Sequence, residues 1–78
     1  MTEAIMTAIV IEELSEYFDK YDLTFTFGPM IGWRVIIQKD GIDLYESDGY
    51  DEPIQVFIAA RNYLDRINNK QREYNPNF

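Results

Sequence analysis

The sequence contains no cysteine and no histidine. Without thiols there is neither a disulfide framework nor a thiolate metal site, a composition that fits a reducing compartment. Without thiol or imidazole, and with Ser15 and Ser47 as the only serines, no serine or cysteine triad can be assembled. Paired carboxylates can act as acid and base in glycoside hydrolysis, but that chemistry needs a cleft able to hold a sugar, which a 78-residue chain seldom builds. The chain is therefore expected not to be an enzyme. Long apolar runs are also missing. None approaches the ~20 residues of a membrane-spanning helix, and the opening Met-Thr-Glu carries no basic region of the kind that starts a secretory leader. A cytoplasmic protein with no membrane partner is expected.

Two ligand motifs fail on spacing. Asp48-Gly49 in an acidic stretch has the look of a calcium loop, but with Gly49 as the sixth loop residue the first and twelfth positions fall on Leu44 and Gln55, neither a carboxylate. Gly28 and Gly32 flank Pro-Met-Ile with no lysine following, so there is no phosphate cradle. No metal and no cofactor are expected.

What the chain does have is aromatic content, 15% of residues, in a length that allows a single core. Met6, Ile9, Val10, Leu14, Tyr17, Phe18 and Tyr21 recur at spacings of three and four, which predicts one amphipathic helix from Glu3 to Lys20. Leu23 to Phe27 and Trp33 to Gln38 alternate as strands, joined by the turn Gly28-Pro29-Met30-Ile31-Gly32. Lys39-Asp40-Gly41 reads as a bulged hairpin turn into a third strand, Ile42 to Glu46. Pro53, preceded by acids, opens a second helix running to Asn68 with Val56, Phe57, Ala60, Tyr63, Leu64 and Ile67 on its apolar stripe. The expected fold is α+β, an αβββα chain whose three-stranded antiparallel sheet is packed on one face by two helices. Residues 1–70 form the single domain, and 71–78, lacking periodicity, read as a flexible tail.

Charge is the most informative feature. The chain has 14 acidic and 7 basic residues, net −7, which argues against direct contact with nucleic acid and favours a basic partner. Residues 1–22 carry Glu3, Glu12, Glu13, Glu16, Asp19 and Asp22 against Lys20 alone. A solvated helix face accounts for much of that group, since Glu12 and Glu16 lie one turn apart. Residues 40–52 carry Asp40, Asp43, Glu46, Asp48, Asp51 and Glu52 with no basic residue at all. Six like charges on one hairpin, strand and loop repel one another. The positive end of the second helix accounts for only the last two, by about 0.3 to 1 kcal/mol each. On a strand, alternate residues are ~6.6 Å apart, close to the spacing of successive backbone phosphates. Residues 53–78 reverse the sign, with Arg61, Arg66, Lys70 and Arg72 against Asp65 and Glu73.

From Tyr21 to Asp65 the layout resembles the type II-A anti-CRISPR proteins of phage. The resemblance rests on the strand Trp33-Arg34-Val35-Ile36-Ile37, the Asp40-Gly41 turn, the acidic Tyr45-Glu46-Ser47-Asp48 and the closing helix Ile54 to Asp65. More broadly the chain is similar to small phage inhibitors that imitate DNA against histone-like nucleoid proteins. The basic second helix departs from an all-round acidic decoy. The resemblance implies an acidic DNA mimic in the host cytoplasm, occupying the DNA-binding surface of a basic host protein. Its contacts would be Asp40, Asp43, Glu46, Asp48, Asp51 and Glu52, supported by Glu12, Glu13, Glu16 and Asp19. The competing reading is a regulatory interaction module built on an apolar patch around Met30 and Ile31, with Tyr45, Tyr50, Tyr63, Tyr74 and Phe78 available to extend it. Tyr45, Tyr50 and Tyr63 are expected to pack internally instead. Under either reading a homodimer is expected, from the small core and the opposite charges of the two helices.

Overall fold

Leu23, Phe25 and Phe27 sit opposite Ile37, Val35 and Trp33 across an antiparallel ladder, and this matched alternation gives the sheet one apolar face. The computed structural model describes residues 3–72, in the order α1 (Glu3–Ser15), β1 (Asp22–Gly28), β2 (Gly32–Lys39), β3 (Ile42–Glu46) and α2 (Pro53–Ile67). The fold is α+β, with an open sheet of order β1-β2-β3. Lys39 pairs directly with Ile42, so Asp40 and Gly41 make a two-residue turn, with φ of 53° and 79° as a right-twisted hairpin requires. This is tighter than the bulged turn expected. The irregularity lies in the β2–β3 ladder instead, where the register shifts between Ile37 and Gln38.

Pro53 begins α2, and the Glu52 N–H just before it donates to Gln55 Oε1 at 3.0 Å, closing the first turn. Val56, Ala60 and Leu64, one turn apart, are fully buried against Val35 and Ile37. Phe57 meets Phe25 edge-on at 5.0 Å, while Tyr63 stacks on Tyr45 at 4.5 Å. One helix thus reaches side chains of all three strands. Tyr45, Tyr50 and Tyr63 are half-buried against this core, as the packing reading anticipated.

The first helix departs from expectation in length and in packing. It stops at Ser15, and 16–20 continues as tight turns, with Tyr17 N–H bonded to Leu14 O at 3.0 Å, Phe18 to Ser15 at 3.2 Å and Lys20 to Tyr17 at 3.0 Å. Ser15 Oγ donates to the Glu12 carbonyl at 2.6 Å, a local bond that competes with the helical ladder where the ladder ends. Of the expected stripe, Val10, Leu14, Tyr17 and Tyr21 are buried, but Met6, Ile9 and Phe18 are 44, 40 and 50% exposed. The reason is that α1 packs chiefly on α2 and runs parallel to it. Glu13 meets Arg61, Tyr17 meets Asp65 and Tyr21 meets Asn68 in step. Only the side of α1 that faces α2 is covered.

Beyond α2 the chain turns back at Asn69, with φ of 54°, and Lys70 N–H bonds to Asp65 O at 2.8 Å. Arg72 is thereby laid between the two helices. Of the tail expected from Gln71, Arg72 is thus held in the folded body, and the part beyond it, with Tyr74 and Phe78, lies outside the described residues.

Candidate acidic interface

The ten acidic residues singled out from the sequence fall into two populations. On α1, Glu13 pairs with Arg61 at 2.8 Å and with Arg72 at 3.4 Å, and Glu16 pairs with Lys70 and with Arg72 at 3.5 Å. These carboxylates fasten the parallel helices. Between them lies Asp65, whose carboxylate accepts from Tyr17 Oη at 2.5 Å and from Arg72 Nε at 2.7 Å. Burial pushes the Asp65 carboxyl up, but the hydrogen bonds from Arg72 and Tyr17 outweigh it and hold it below the usual carboxylate range. Burial and then the bond to Asp65 raise the Tyr17 hydroxyl above the ordinary tyrosine range. The hydrogen bond from Lys70, assisted by Arg72, lowers Glu16. Sequence reading missed Asp65 and Arg72 as a structural pair. The available signal was the spacing of Arg61, Asp65 and Asn68 by four and three, one polar row of α2, which meets Glu13, Tyr17 and Tyr21.

The acids of 40–52 are arranged otherwise. Asp40 is at the tip of the β2–β3 turn, Asp43 and Glu46 are on β3, and Asp48, Asp51 and Glu52 are in the loop that leads to α2; all are exposed. Glu46 pairs with Arg34, and Asp43 accepts from Gln38 Nε2 on the face of the sheet away from the helices. Asp40, Asp48, Asp51 and Glu52, like Glu12 and Asp19 on the first segment, have no ion-pair partner among the described residues. Asp40 and Asp43 stand at one end of the sheet and Asp48, Asp51 and Glu52 at the other, with Glu46 between, so the row follows the β3 edge. Ser47 anchors the exit from β3: its buried Oγ accepts from Val35 N–H at 2.9 Å and donates to Asp48 O at 2.9 Å. That hydroxyl takes the place of a strand partner.

The basic residues explain why the outer surface is more acidic than the sequence implies. Arg61 and Arg72 side chains are only 12 and 9% exposed, buried against α1. Arg34 and Lys70 are paired, Lys39 lies 5.4 Å over the Tyr21 ring and Arg66 5.4 Å over Tyr63. Lys20 alone among the described residues has no such engagement. The cations of α2 and its extension, expected to reach the acids of a second copy, meet those of their own α1.

At the opposite hairpin, Met30 is 97% exposed and Ile31 58%. Trp33 and Tyr50 exchange backbone hydrogen bonds of 2.7 and 2.9 Å beneath this tip. Gly49 is required there, since a Cβ would lie 1.8 Å from the Ile31 carbonyl oxygen. Among the described residues no three acids come together as a metal site, and no helix is long and apolar enough to cross a membrane. Comparison with protein-family models, curated proteins and solved structures finds no match.

Proposed function

We propose that the protein is an acidic DNA mimic, which binds the basic DNA-binding surface of a host protein in the cytoplasm and inhibits it without catalysis. The observation that carries this reading is the asymmetry of pairing: the chain's arginines are engaged internally, while Asp40, Asp48, Asp51 and Glu52 face solvent with no ion-pair partner among the described residues. Exposed like charges gain nothing from one another, so a basic partner supplies the compensation the fold omits. β3 and its flanking turns set Asp40, Asp43, Glu46 and Asp48 in a row, and strand geometry spaces such a row by roughly 6 to 10 Å. The test is capture from a bacterial lysate at low salt, followed by displacement of the captured protein by duplex DNA. Asp43→Lys with Asp48→Lys should abolish capture of a DNA-binding protein. Retention of that protein by the double variant would end the proposal.

A second reading is favoured by one observation. Met30 stands almost wholly in solvent on a turn braced by the Trp33–Tyr50 hydrogen bonds, a rigid apolar knob suited to a pocket on another protein. Met30→Asp would destroy binding under that reading and leave it nearly unchanged under the first.

A further inference from the structure

The two edges of the sheet are unlike. β3 is five residues long, borders the ladder irregularity, carries Asp43 and Glu46, and has its Leu44 carbonyl taken by Tyr63 Oη at 3.1 Å. These are the devices that close an edge to strand addition. Of these β1 has only the charge of Asp22 at its first position. Its seven residues, Asp22–Gly28, include no proline and no lysine, and Leu23-Thr24-Phe25-Thr26-Phe27 is aromatic and β-branched. The orientation of its backbone follows from its neighbour. Val35 directs both N–H and C=O toward Ser47, and Trp33 directs both toward Tyr50, so neither bonds to β1. In an antiparallel ladder the partners of such residues turn their own groups outward. Phe25 and Phe27 are those partners, and Leu23 follows by the two-residue period. Their amides and carbonyls face away from β2 at the free edge.

Beside that edge is an open groove of about 460 Å³, lined by Phe18, Tyr21, Leu23 and Phe25 together with Asp22 and Thr24, where α1 stops short of covering the sheet. Phe27, farther along the same strand, is 59% exposed even with its ring 5.1 Å from Trp33.

We infer that β1 pairs with β1 of a second copy about a two-fold axis at Phe25, joining two sheets into one of six strands. Phe25 is the midpoint of Asp22–Gly28, so this register overlaps the whole strand. It also places outward groups against outward groups, at Phe25 with Phe25 and Leu23 with Phe27, for about six backbone hydrogen bonds. Each Phe27 then falls beside the partner's Leu23, where the groove lies, and its own groove receives the partner's Phe27. Asp22 falls opposite Gly28, so the register brings no two carboxylates together. The pattern is complementary to itself, which selects a second copy as the occupant. The strand spans about 23 Å and the body is 16 Å at its thinnest. A contact of that size is at the low end for a specific interface. Because β3 is closed, assembly ends at two.

Sedimentation equilibrium of the full chain over a concentration series tests this. The mass should rise from 9.3 kDa to twice that value and no further. Phe27→Lys should raise the dissociation constant at least tenfold, although it reduces the net negative charge and so weakens general repulsion. Met30→Lys makes the same change in charge away from the edge and should leave dimerisation unaltered. In the wild type, amide exchange at Leu23, Phe25 and Phe27 should slow as concentration rises, while Thr24 and Thr26, already bonded to β2, stay constant; this readout needs no variant. A monomer at every concentration, species larger than two, a Phe27→Lys dimer as tight as wild type, or concentration-independent exchange at Phe25 would each overturn the inference.

Discussion

The acids of α1 and those between Asp40 and Glu52 share a sign and a similar density, yet the fold treats them differently. Glu13 and Glu16 meet Arg61, Lys70 and Arg72 across a helix pair, with Asp65 and Tyr17 completing the network. Asp40, Asp48 and Asp51 have no ion-pair partner among the described residues. Glu13 and Glu16 are tied into the fold, whereas Asp40, Asp48 and Asp51 are exposed. What separates them is the element opposite: α1 has a basic helix and its extension alongside, whereas β3 is the last strand of its sheet.

The largest expected effect comes from breaking the structural group. Arg72→Ala leaves Asp65 buried beside Tyr17 without its charge partner, and should cost about 3 kcal/mol in chemical denaturation. Gly49→Ala drives a Cβ into the Ile31 carbonyl and should cost about 1 to 3 kcal/mol while sparing the helix pair. Charge reversal of Asp48, by contrast, should change stability by no more than about 0.5 kcal/mol, because the side chain is exposed and has no ion-pair partner among the described residues. Equal destabilisation by Arg72→Ala and Asp48→Lys would erase the distinction between the two acidic groups.

The pH dependence sharpens the same contrast. Asp65 and Glu16 are held below their ordinary values, so their contribution is complete above about pH 5.5, where the unfolded carboxylates are ionised. It disappears as pH falls through the lower folded values. Tyr17 is shifted the other way, so its contribution is complete below about pH 10 and is lost as pH rises toward its folded value. Melting temperatures across the pH range should fall at both ends. Tyr17→Phe should flatten the alkaline decline, and Asp65→Asn the acid decline; a Tyr17→Phe protein with an unchanged alkaline limb would contradict the Tyr17–Asp65 assignment.

How far the sequence revealed this depends on the range of the interaction. The strands and α2 were legible because alternation and three-four spacing are local consequences of burying one face. The end of the first helix was not, since Met6, Ile9 and Phe18 fit the same stripe as Val10 and Leu14, and only the placement of α2 decides which are covered. Likewise Glu13 and Asp48 look alike in sequence. Their difference arises from contacts across 48 residues, Glu13 with Arg61 and Tyr17 with Asp65, which no local pattern encodes. Arg61 and Arg72, which made the C-terminal segment look basic, are nearly removed from the surface by those same contacts.

The most direct test of the division is DNA displacement from the captured basic protein by three forms of the chain: wild type, Asp43→Lys with Asp48→Lys, and Glu13→Gln with Glu16→Gln. If the outward acids stand in for phosphates, wild type competes with duplex DNA and loses potency as salt screens exposed charge over about 8 Å. The lysine variant should then lose at least tenfold in potency with an unchanged fold, while the glutamine variant is less stable yet displaces DNA as well as wild type wherever it remains folded. Equal displacement by wild type and the lysine variant would contradict the mimic and leave the Met30 tip as the binding surface.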